Sequence, residues 1–385
     1  MKILVSLTYY RPHVSGLTIY VERLARAWAR AGHAVTILTS RYRSDLAREE
    51  MADGVRVLRL PVAMRISKGV LMPTIGVEAT RLVLEHDVLS LHLPQFDAAG
   101  IAARGRLFRR PTVLTHHCDL LLPVGLLNGP AHAAVQAANH IAAQLADAVV
   151  SYTQDYAAHS PFLSRYTRKL RVIPPPVDPP ETPRPEDIAA FASLRHGRGP
   201  VIGMAARLAT EKGVEYLLEA LPPILERHPE AMVLFAGQHE NVLGEQAYAR
   251  RLRPALERMA DHWTFLGVLD PHRMSAFYNA CDVTVLPSLN STESFGLVQI
   301  ESILCGTPVV AADLPGVRQP VLTTGRGKVV PIRDSAALAE GILEVLERNP
   351  GSDLDLSRVR ARHAPDNVAR EYLSLFEELG ARRRP

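Results

Sequence analysis

Cysteine and lysine are both scarce in this chain of 385 residues. The three cysteines, Cys118, Cys281 and Cys305, are far apart and lack the spacing of metal ligands, which excludes a sequence-encoded zinc site. Such an odd and sparse set also excludes a disulfide framework and favours a reducing compartment. Only five of the 44 basic residues are lysines, so arginine carries nearly all of the positive charge.

Long apolar runs and the usual dinucleotide-binding glycine pattern are missing as well. No run of about eighteen apolar residues occurs, so the sequence predicts no membrane-spanning helix. The N-terminal stretch MKILVSLTYYRP is too short and too polar after Leu7 for a signal peptide. No G-x-G-x-x-G motif occurs, which disfavours a dehydrogenase. We therefore expect a cytoplasmic protein.

The composition is that of an ordinary globular protein. Hydrophobic residues make up 47% and charged residues 22% of the chain, and the length favours two domains. The net charge is +4, and the isoelectric point is near 9.0. This mildly basic balance fits an anionic substrate or a membrane surface, and equally a solvated basic surface without a special role. Nothing in it calls for a nucleic-acid partner.

Short β-branched or aliphatic runs alternate with helical patterns along the whole chain. Residues 18–33 have apolar positions at helical spacing, with Gly32 as the stop signal. Alternating strands and helices favour parallel, doubly wound sheets, so the predicted fold class is α/β. The predicted strands are 2–8, 34–40, 87–92, 111–116 and 147–153, and, later, 200–207, 231–238, 262–267, 282–288 and 307–313.

A proline-rich segment separates the two sets of strands. The stretch VIPPPVDPPETPRPE has seven prolines, which exclude a helix or a central strand and favour a stiff connector. We expect two Rossmann-like domains facing a cleft, with ligands bound beyond the carboxyl ends of the strands. The last helical segment has a broad apolar face and is expected to dock back on the first domain. The predicted boundaries are 1–173, a linker at 174–183, 184–364 and the helix 365–385.

Two loops that follow predicted strands carry candidate phosphate ligands. Gly16 precedes a helix near Thr18, where a glycine lets a phosphate approach the backbone amides; an ordinary turn glycine is the alternative. Arg207 and Lys212 flank a short turn after residues 201–204 and are suited to a pyrophosphate. A solvated loop, with Glu211 as the charge partner, is the alternative for this pair.

The stretch NSTESFGLVQIESILCGTPVVAADLPGV places Glu293 and Glu301 eight positions apart around an apolar segment. We expect a helix from about Phe295 to Cys305, which leaves Glu293 in the preceding loop and Glu301 inside the helix. The loop acid is suited to sugar hydroxyls and the helical acid to a ribose diol. The amides of Phe295, Gly296 and Leu297 at the helix N-terminus are suited to phosphate. Acids that merely favour the helix dipole are the alternative.

These motifs together resemble the retaining GT4-type glycosyltransferases of the GT-B fold. The resemblance rests on ESFGLVQIE between VLPS and CGTPVVAADLPGV, on RLATEKG about 80 residues earlier, and on the N-terminal glycine loop, and it spans essentially the whole chain. It implies a nucleotide-sugar donor, UDP- or GDP-linked, held mainly by the C-terminal domain. It also implies transfer with retention of the anomeric configuration, without a metal or another cofactor.

The resemblance also implies roles for individual positions. Arg207 and Lys212 would neutralise the leaving diphosphate, Glu293 would bind the donor sugar, and Glu301 the ribose. The segment THHCDL (115–120) resembles a loop whose histidine approaches the donor sugar, with His117 preferred over His116; a hydrogen-bonded structural histidine is the alternative. The remaining donor contacts would come from Gly16, Val268, Leu269, Phe295, Gly296 and Leu297.

The acceptor and the reaction leave alternatives open. A hexosyl group would pass to a hydroxyl of a glycan, lipid or small molecule; a sugar-nucleotide epimerase and a catalytically silent nucleotide-sugar binding protein are the alternatives. Arginines at 104, 106, 109 and 110 and the apolar segment 66–84 suit peripheral contact with an anionic membrane. A solvated face and a core helix explain the same residues.

Overall fold

A computed structural model describes residues 1–66, 69–119, 128–242, 244–351 and 353–382. The chain divides into two compact units. Unit 1 comprises Met1–Val177 with Arg362–Pro385, and unit 2 comprises Asp178–Ala361. Three parts of the segments singled out from the sequence lie outside the described residues: positions 67–68, position 120 and positions 383–385.

Unit 1 is built around an eight-stranded sheet. Its strands and one separate hairpin are β1 (Lys2–Ser6), β2 (Ala34–Arg41), β3 (Glu49–Ala52), β4 (Val55–Pro61), β5 (Met64–Ile66), β6 (Gly69–Leu71), β7 (Val88–Leu93), β8 (Thr112–His116), β9 (Ala148–Ser151) and β10 (Leu170–Val172). The sheet order is β10-β9-β8-β7-β1-β2-β4-β3, and its pairings are parallel except that of β3 with β4. Strands β5 and β6 form a two-stranded antiparallel sheet of their own.

Helices connect the parallel strands of unit 1 and cover the sheet. They are α1 (Gly16–Arg30), α2 (Ile75–Glu85), α3 (Ala98–Leu107), α4 (Asn128–Leu145) and α5 (Gln154–His159). The first helix begins where the Ser15 side chain accepts a hydrogen bond from the Thr18 amide at 3.2 Å, which caps a free N–H group. It buries Tyr20, Leu24 and Trp28 at helical spacing, so one face of α1 belongs to the core.

Unit 2 repeats this plan with a smaller sheet, all of whose pairings are parallel. Its strands are β11 (Val201–Ala205), β12 (Met232–Ala236), β13 (Trp263–Gly267), β14 (Val283–Leu286), β15 (Val309–Ala312) and β16 (Gly327–Val330), in the order β13-β12-β11-β14-β15-β16. Its helices are α6 (Pro185–Arg195), α7 (Val214–Arg227), α8 (Gln246–Arg258), α9 (Pro271–Ala280), α10 (Leu297–Leu304), α11 (Gln319–Thr324) and α12 (Ser335–Arg348). The predicted α/β class with doubly wound parallel sheets is confirmed.

The chain ends with α13 (Leu356–His363) and α14 (Pro365–Ala381). Helix α14 packs on α1 within unit 1: the Tyr372 hydroxyl lies 2.7 Å from that of Tyr20 and 2.8 Å from Thr115 Oγ1. The Trp28 indole donates to the Ala369 carbonyl at 3.3 Å. These buried contacts make α14 part of the unit 1 core. No helix in the described ranges is both long enough and apolar enough to cross a bilayer.

Candidate active site

The candidate site of unit 2 lies where the direction of strand addition reverses. Strands β11 and β14 are neighbours in the sheet, although β12 and β13 come between them in the sequence. Ligands of open parallel sheets bind at such a switch point, beyond the carboxyl ends of the strands. The two loops that leave this point are 206–213 and 287–296. They are joined by a hydrogen bond from the Leu289 amide to the Glu211 carbonyl, at 2.9 Å.

Lys212 and Glu293 come together between these two loops. The Lys212 Nζ lies 2.5 Å from the Glu293 Oε2, and both side chains are only 18% exposed. The approach of the loops depends on Gly213, which has a φ of 68°. A Cβ on this residue would lie 2.2 Å from the Pro287 carbonyl oxygen. A side chain here is therefore excluded both by the backbone conformation and by the space.

Arg207 has a different environment from Lys212. Its side chain is 47% exposed, and its Nη2 lies 3.1 Å from the Glu211 Oε1. The two cations of the loop thus each have their own acid, Glu211 for Arg207 and Glu293 for Lys212. This exposed arginine is available to a ligand at little cost, because an exposed ion pair contributes little to stability.

Helix α10 begins later than the sequence pattern indicates. We expected it to start near Phe295, but its first residue is Leu297 and Gly296 is its N-cap, with φ and ψ both 77°. A Cβ on Gly296 would lie 2.3 Å from the Leu286 Cδ2, so this left-handed residue is required by tertiary packing. The prediction that Phe295 lies in the helix was therefore wrong. The amides of Gly296 and Leu297 remain at the free N-terminal end of α10.

A buried glutamine holds the loop that leads into α10. The Gln299 side chain is 1% exposed, and its Nε2 donates to the Phe295 carbonyl at 2.7 Å and to the Val317 carbonyl at 2.8 Å. Phe295 itself is 4% exposed. Its ring therefore belongs to the core, and its contribution to a ligand is confined to the backbone. Sequence reasoning did not identify Gln299.

Glu301 lies one turn into α10 and is held by a tyrosine from α9. The Tyr278 hydroxyl donates to the Glu301 Oε2 at 3.0 Å. Burial, together with the Glu301 carboxylate, raises the pKa of Tyr278 well above its ordinary value, so the phenol keeps its proton. Tyr278 thus orients one carboxylate oxygen of Glu301. Sequence reasoning missed this partner, because nothing local distinguishes a core tyrosine from one that donates to an acid.

The loop after β13 contains the two residues expected near a nucleobase. Val268 is 70% exposed, whereas Leu269 is partly buried and packs on the core. An aromatic pair lies beside this loop: His239, after β12, stacks on Phe265 with ring centres 4.4 Å apart and an interplanar angle of 14°. The sequence did not single out His239. Because β13 is two strands away from β11, this loop lies roughly 10 Å from the switch point along the sheet edge.

Unit 1 has its own switch point, between β1 and β7, and Gly16 follows β1 there. Gly16 is the first residue of α1 rather than a residue of the preceding turn. A Cβ on it would meet no atom within 4 Å. Neither backbone strain nor packing therefore requires glycine at this position, and the space above the helix N-terminus is open.

His117 is buried in an aromatic network of unit 1. Its Nε2 lies 2.8 Å from the His92 Nδ1, and its Nδ1 pairs with the Tyr152 hydroxyl. Burial lowers the pKa of His117 well below its ordinary value, so the ring is neutral. Both ring nitrogens have partners, as in a hydrogen-bonded structural histidine. Contact with a sugar through either nitrogen requires one of these hydrogen bonds to break.

His116 is equally buried but differently surrounded. Its ring stacks on Phe162 at 4.5 Å, and its Nε2 lies 3.7 Å from the Asp119 Oδ1. Its Nδ1 has no hydrogen-bond partner among the described residues. Burial lowers the pKa of His116 to about 3. The expected donor contacts of both histidines stay predictions.

Two family models match the chain and together cover most of it. The description "Glycosyl transferases group 1" applies to residues 186–362, and "Glycosyl transferase 4-like domain" applies to residues 15–176. Among curated proteins, a D-inositol 3-phosphate glycosyltransferase of Acidothermus cellulolyticus is 30% identical over 96% of this chain and 87% of its own length. A phosphatidyl-myo-inositol mannosyltransferase of Mycobacterium tuberculosis is 26% identical over 93% of this chain and 89% of its own length.

Solved structures show the same fold. HepE of Anabaena in complex with UDP superposes with a TM-score of 0.76 at 20% identity, over 98% of this chain and 100% of that chain. A sucrose-phosphate synthase of Thermosynechococcus elongatus gives a TM-score of 0.78 at 21% identity, over 99% of both chains. The two doubly wound units, the two family models and the 30% identical relative agree. The chain therefore belongs to the group 1 glycosyltransferases of GT4 type, enzymes of the GT-B fold that use nucleotide-sugar donors.

Proposed function

We propose that this glycosyltransferase moves a hexosyl group from a UDP- or GDP-sugar to an acceptor hydroxyl, with retention and without a metal. The observation that carries the proposal is the contact between Lys212 and Glu293 at the switch point of unit 2. It brings a cation suited to phosphate and an acid suited to sugar hydroxyls to one place. Both are partly buried, where charged contacts are stronger than in water.

The leaving diphosphate is the group that most needs stabilisation. When the anomeric bond breaks, negative charge grows on the phosphate, and Lys212 and Arg207 offset it. The amides of Gly296 and Leu297 add the positive end of the α10 dipole. Because these groups interact more strongly with the departing phosphate than with the intact donor, they lower the barrier.

The rest of the donor extends from this point in two directions. Glu293 accepts hydrogen bonds from the sugar hydroxyls. Glu301, oriented by Tyr278, accepts from the ribose diol, and Val268 and Leu269 contact the base. The roughly 10 Å between the switch point and the loop after β13 suits the reach of a nucleoside diphosphate. The donors are supported by relatives: HepE structures contain UDP or UDP-glucose, and a Mycobacterium tuberculosis relative is named as GDP-mannose-dependent.

The transfer step involves one bond made and one bond broken. An acceptor hydroxyl oxygen bonds to the anomeric carbon on the face that the diphosphate leaves, and the electron pair of the broken bond goes to the phosphate oxygen. That oxygen takes the hydroxyl proton, so no external base is needed. Gly16 leaves room for the donor phosphate near α1, and His117 approaches the donor sugar in this proposal.

The acceptor carries a polyol or sugar hydroxyl. Relatives named for D-inositol 3-phosphate and for phosphatidyl-myo-inositol support this class. In unit 1, Val77, Leu84 and Leu107 are 76%, 50% and 72% exposed on α2 and α3, close to the arginines at 104–110. Such a mixed surface suits peripheral contact with an anionic membrane. Sedimentation with phosphatidylglycerol vesicles, with phosphatidylcholine vesicles as the control, tests this contact.

A donor panel with the purified protein tests the proposed reaction. UDP-, GDP- and ADP-hexoses are incubated with polyol, sugar and lipid acceptors, and released nucleotide and glycosylated product are both measured, with the product's anomeric configuration read by NMR. Turnover in excess EDTA supports the metal-free mechanism, and loss that magnesium restores contradicts it. Donor epimerisation without transfer identifies an epimerase, and tight binding without turnover identifies a silent binding protein.

A further inference from the structure

The N-terminal end of α8 contacts the loop that carries Lys212. Glu245, the N-cap residue of this helix, makes no side-chain capping bond to α8. Its Oε2 instead accepts hydrogen bonds from the Thr210 amide at 3.0 Å and from the Thr210 Oγ1 at 2.7 Å. Thr210 begins the single 3-10 turn Thr210–Lys212, and the preceding Ala209 has no side chain that could cap it. Glu245 therefore caps this turn from another element.

One turn further along α8, Tyr248 holds the other side of the same loop. The Val214 amide donates to the Tyr248 hydroxyl at 3.1 Å, and this hydroxyl donates in turn to the Glu215 carboxylate. Burial, followed by the bond to Glu215, raises the pKa of Tyr248 far above its ordinary value, so the phenol keeps the proton that it donates. Val214 is the first residue of α7, so this contact fixes the point at which the loop ends and α7 begins.

The two contacts lie on either side of Lys212 in the chain. Thr210 comes two residues before Lys212 and Val214 two residues after it, whereas Glu245 and Tyr248 have the three-residue spacing of neighbours on a helix surface. A lysine ammonium is a point charge on a flexible stem, so its position depends on how firmly the backbone below it is held. Fixing the backbone on both sides therefore limits the positions that the Lys212 ammonium can reach.

The carboxylate of Glu245 is not paired with a base. Across the parts of the chain that the structure describes, Glu245 forms no salt bridge, although arginines follow it at 250, 251 and 253 in α8. An acid at a helix N-terminus also favours the helix dipole, but that effect needs no contact with Thr210. The two bonds directed at one residue of the loop therefore indicate a role in holding the loop.

We propose that Glu245 is a positioning residue for the diphosphate site. It holds the turn Thr210–Lys212 so that the Lys212 ammonium meets the second phosphate of the donor, and Tyr248 fixes the other end of the loop. The inference rests on the proposed function for the role of Lys212. It goes beyond that role, because Glu245 acts through the loop and needs no contact with the donor.

A comparison of nucleoside diphosphates with monophosphates isolates this role. Calorimetry on the full chain measures the dissociation constants of UDP and UMP, and of GDP and GMP. The ratio within each pair reports the contribution of the second phosphate, whereas a general loss of structure weakens both nucleotides of a pair alike.

Two variants of Glu245 and one control are compared. Glu245→Ala removes the acceptor of both Thr210 bonds, and Glu245→Gln keeps an acceptor oxygen without the charge. Glu257→Ala is the matched control, because Glu257 is an exposed acid of the same helix. Its carboxylate makes no hydrogen bond or ion pair within the described ranges.

We expect the diphosphate of at least one pair to bind more tightly than its monophosphate. Glu245→Ala should reduce this preference about tenfold and leave the monophosphate within about twofold, since the bonds to a charged acceptor that hold the loop are lost. Glu245→Gln should recover most of the preference, and Glu257→Ala should keep it. Adding Glu245→Ala to Lys212→Ala should change the preference by less than about twofold, because Glu245 acts through Lys212.

The inference is overturned if Glu245→Ala keeps the preference of the unaltered protein, or if it weakens both nucleotides of a pair alike. It is also overturned if neither diphosphate binds more tightly than its monophosphate, or if Glu245→Ala has its full effect in the Lys212→Ala background. A protein that shows the expected preference but transfers no hexosyl group in the donor panel would instead overturn the proposed function.

Discussion

The Lys212 ammonium lies 2.5 Å from the Glu293 carboxylate, although the two residues are 81 positions apart. Each belongs to a different loop of the switch point in unit 2, and each side chain is 18% exposed. A cation and an acid that neutralise each other in this way keep a polar site stable before a ligand binds. Under the proposed function, a donor phosphate would compete with Glu293 for Lys212 and release the acid for sugar hydroxyls. This exchange couples the two residues.

The coupling predicts non-additive effects of Lys212→Ala and Glu293→Ala on turnover. Each change should lower turnover roughly 100- to 1,000-fold, because a charged contact to the transition state contributes about 2.7–4 kcal/mol. The double variant should be little worse than either single one, since each loss already disrupts the shared contact. Nucleotide release by purified variants with unchanged circular dichroism measures this. The control is Arg227→Ala, which removes an exposed ion pair between Arg227 and Glu347 of unit 2.

Sequence reasoning located the two loops of this site but not the contact between them. Glycine, proline and charge at strand ends are local signals, so Lys212, Glu293 and Gly296 could be singled out from the sequence. That β14 lies beside β11 is a matter of strand order, which alternation of strands and helices does not reveal. The start of α10 was misplaced for a similar reason, because the conformation of Gly296 depends on Leu286.

The missed strands of the two sheets and the buried His117 also show that local sequence patterns do not reveal tertiary packing. Strands β3, β5, β6, β10 and β16 have three or four residues and were missed. The equally short β9, β14 and β15 were predicted because they are buried throughout, whereas β3, β10 and β16 have at most one buried position. Strand β4, VRVLRLP, has Arg56 and Arg59 among apolar residues and was also missed. His117 has the same residue type whether it faces a ligand or the core. Its partner His92 lies in β7 and its partner Tyr152 directly follows β9, and only the fold brings them together.

Gly296→Ala should both destabilise unit 2 and abolish donor binding. The added Cβ meets Leu286 at 2.3 Å, and the backbone has a φ of 77°. Strain and overpacking should each cost about 1–3 kcal/mol. The control is Gly306→Ala. Gly306 has a φ of 86°, but a Cβ on it would meet no atom within 4 Å, so this variant should lose only the stability that backbone strain costs. Thermal unfolding and calorimetry with UDP and GDP measure both effects; equal melting points for the two variants would contradict the packing argument.

Tyr278→Phe should raise the donor KM with little change in kcat. The substitution removes the hydroxyl that orients Glu301, and a ribose contact is lost equally from the bound donor and from the transition state. We expect roughly a tenfold increase, in line with a hydrogen bond to a charged group. Glu301→Gln should act in the same way, and adding Tyr278→Phe to it should change little more. A fall in kcat at constant KM would show that Tyr278 acts elsewhere.

Unit 1 should lose stability as the pH falls below about 6.5, the ordinary pKa of histidine. Burial lowers the pKa of His116 to about 3 and that of His92 to about 3, so the folded unit keeps both rings neutral. Between these values the unfolded chain binds protons that the folded chain does not, and stability therefore falls as the pH falls. Above pH 6.5 neither state is protonated, and this contribution is constant.

The variant that tests this relationship is His116→Phe, which keeps the stacking on Phe162 and removes one titrating ring. Between pH 6.5 and 4 the unfolding free energy falls with pH, and in the variant this slope should be smaller by about 1.4 kcal/mol per pH unit, the value for one proton. The exposed His159→Phe serves as the control. The chain has two tryptophans, Trp28 in unit 1 and Trp263 in unit 2, so Trp263→Phe makes fluorescence report on unit 1. The unfolding free energy of unit 1, measured by Trp28 fluorescence, is compared between pH 6.5 and 4. If His116→Phe leaves its pH dependence unchanged, His116 is protonated in the folded unit and is not buried in a neutral state.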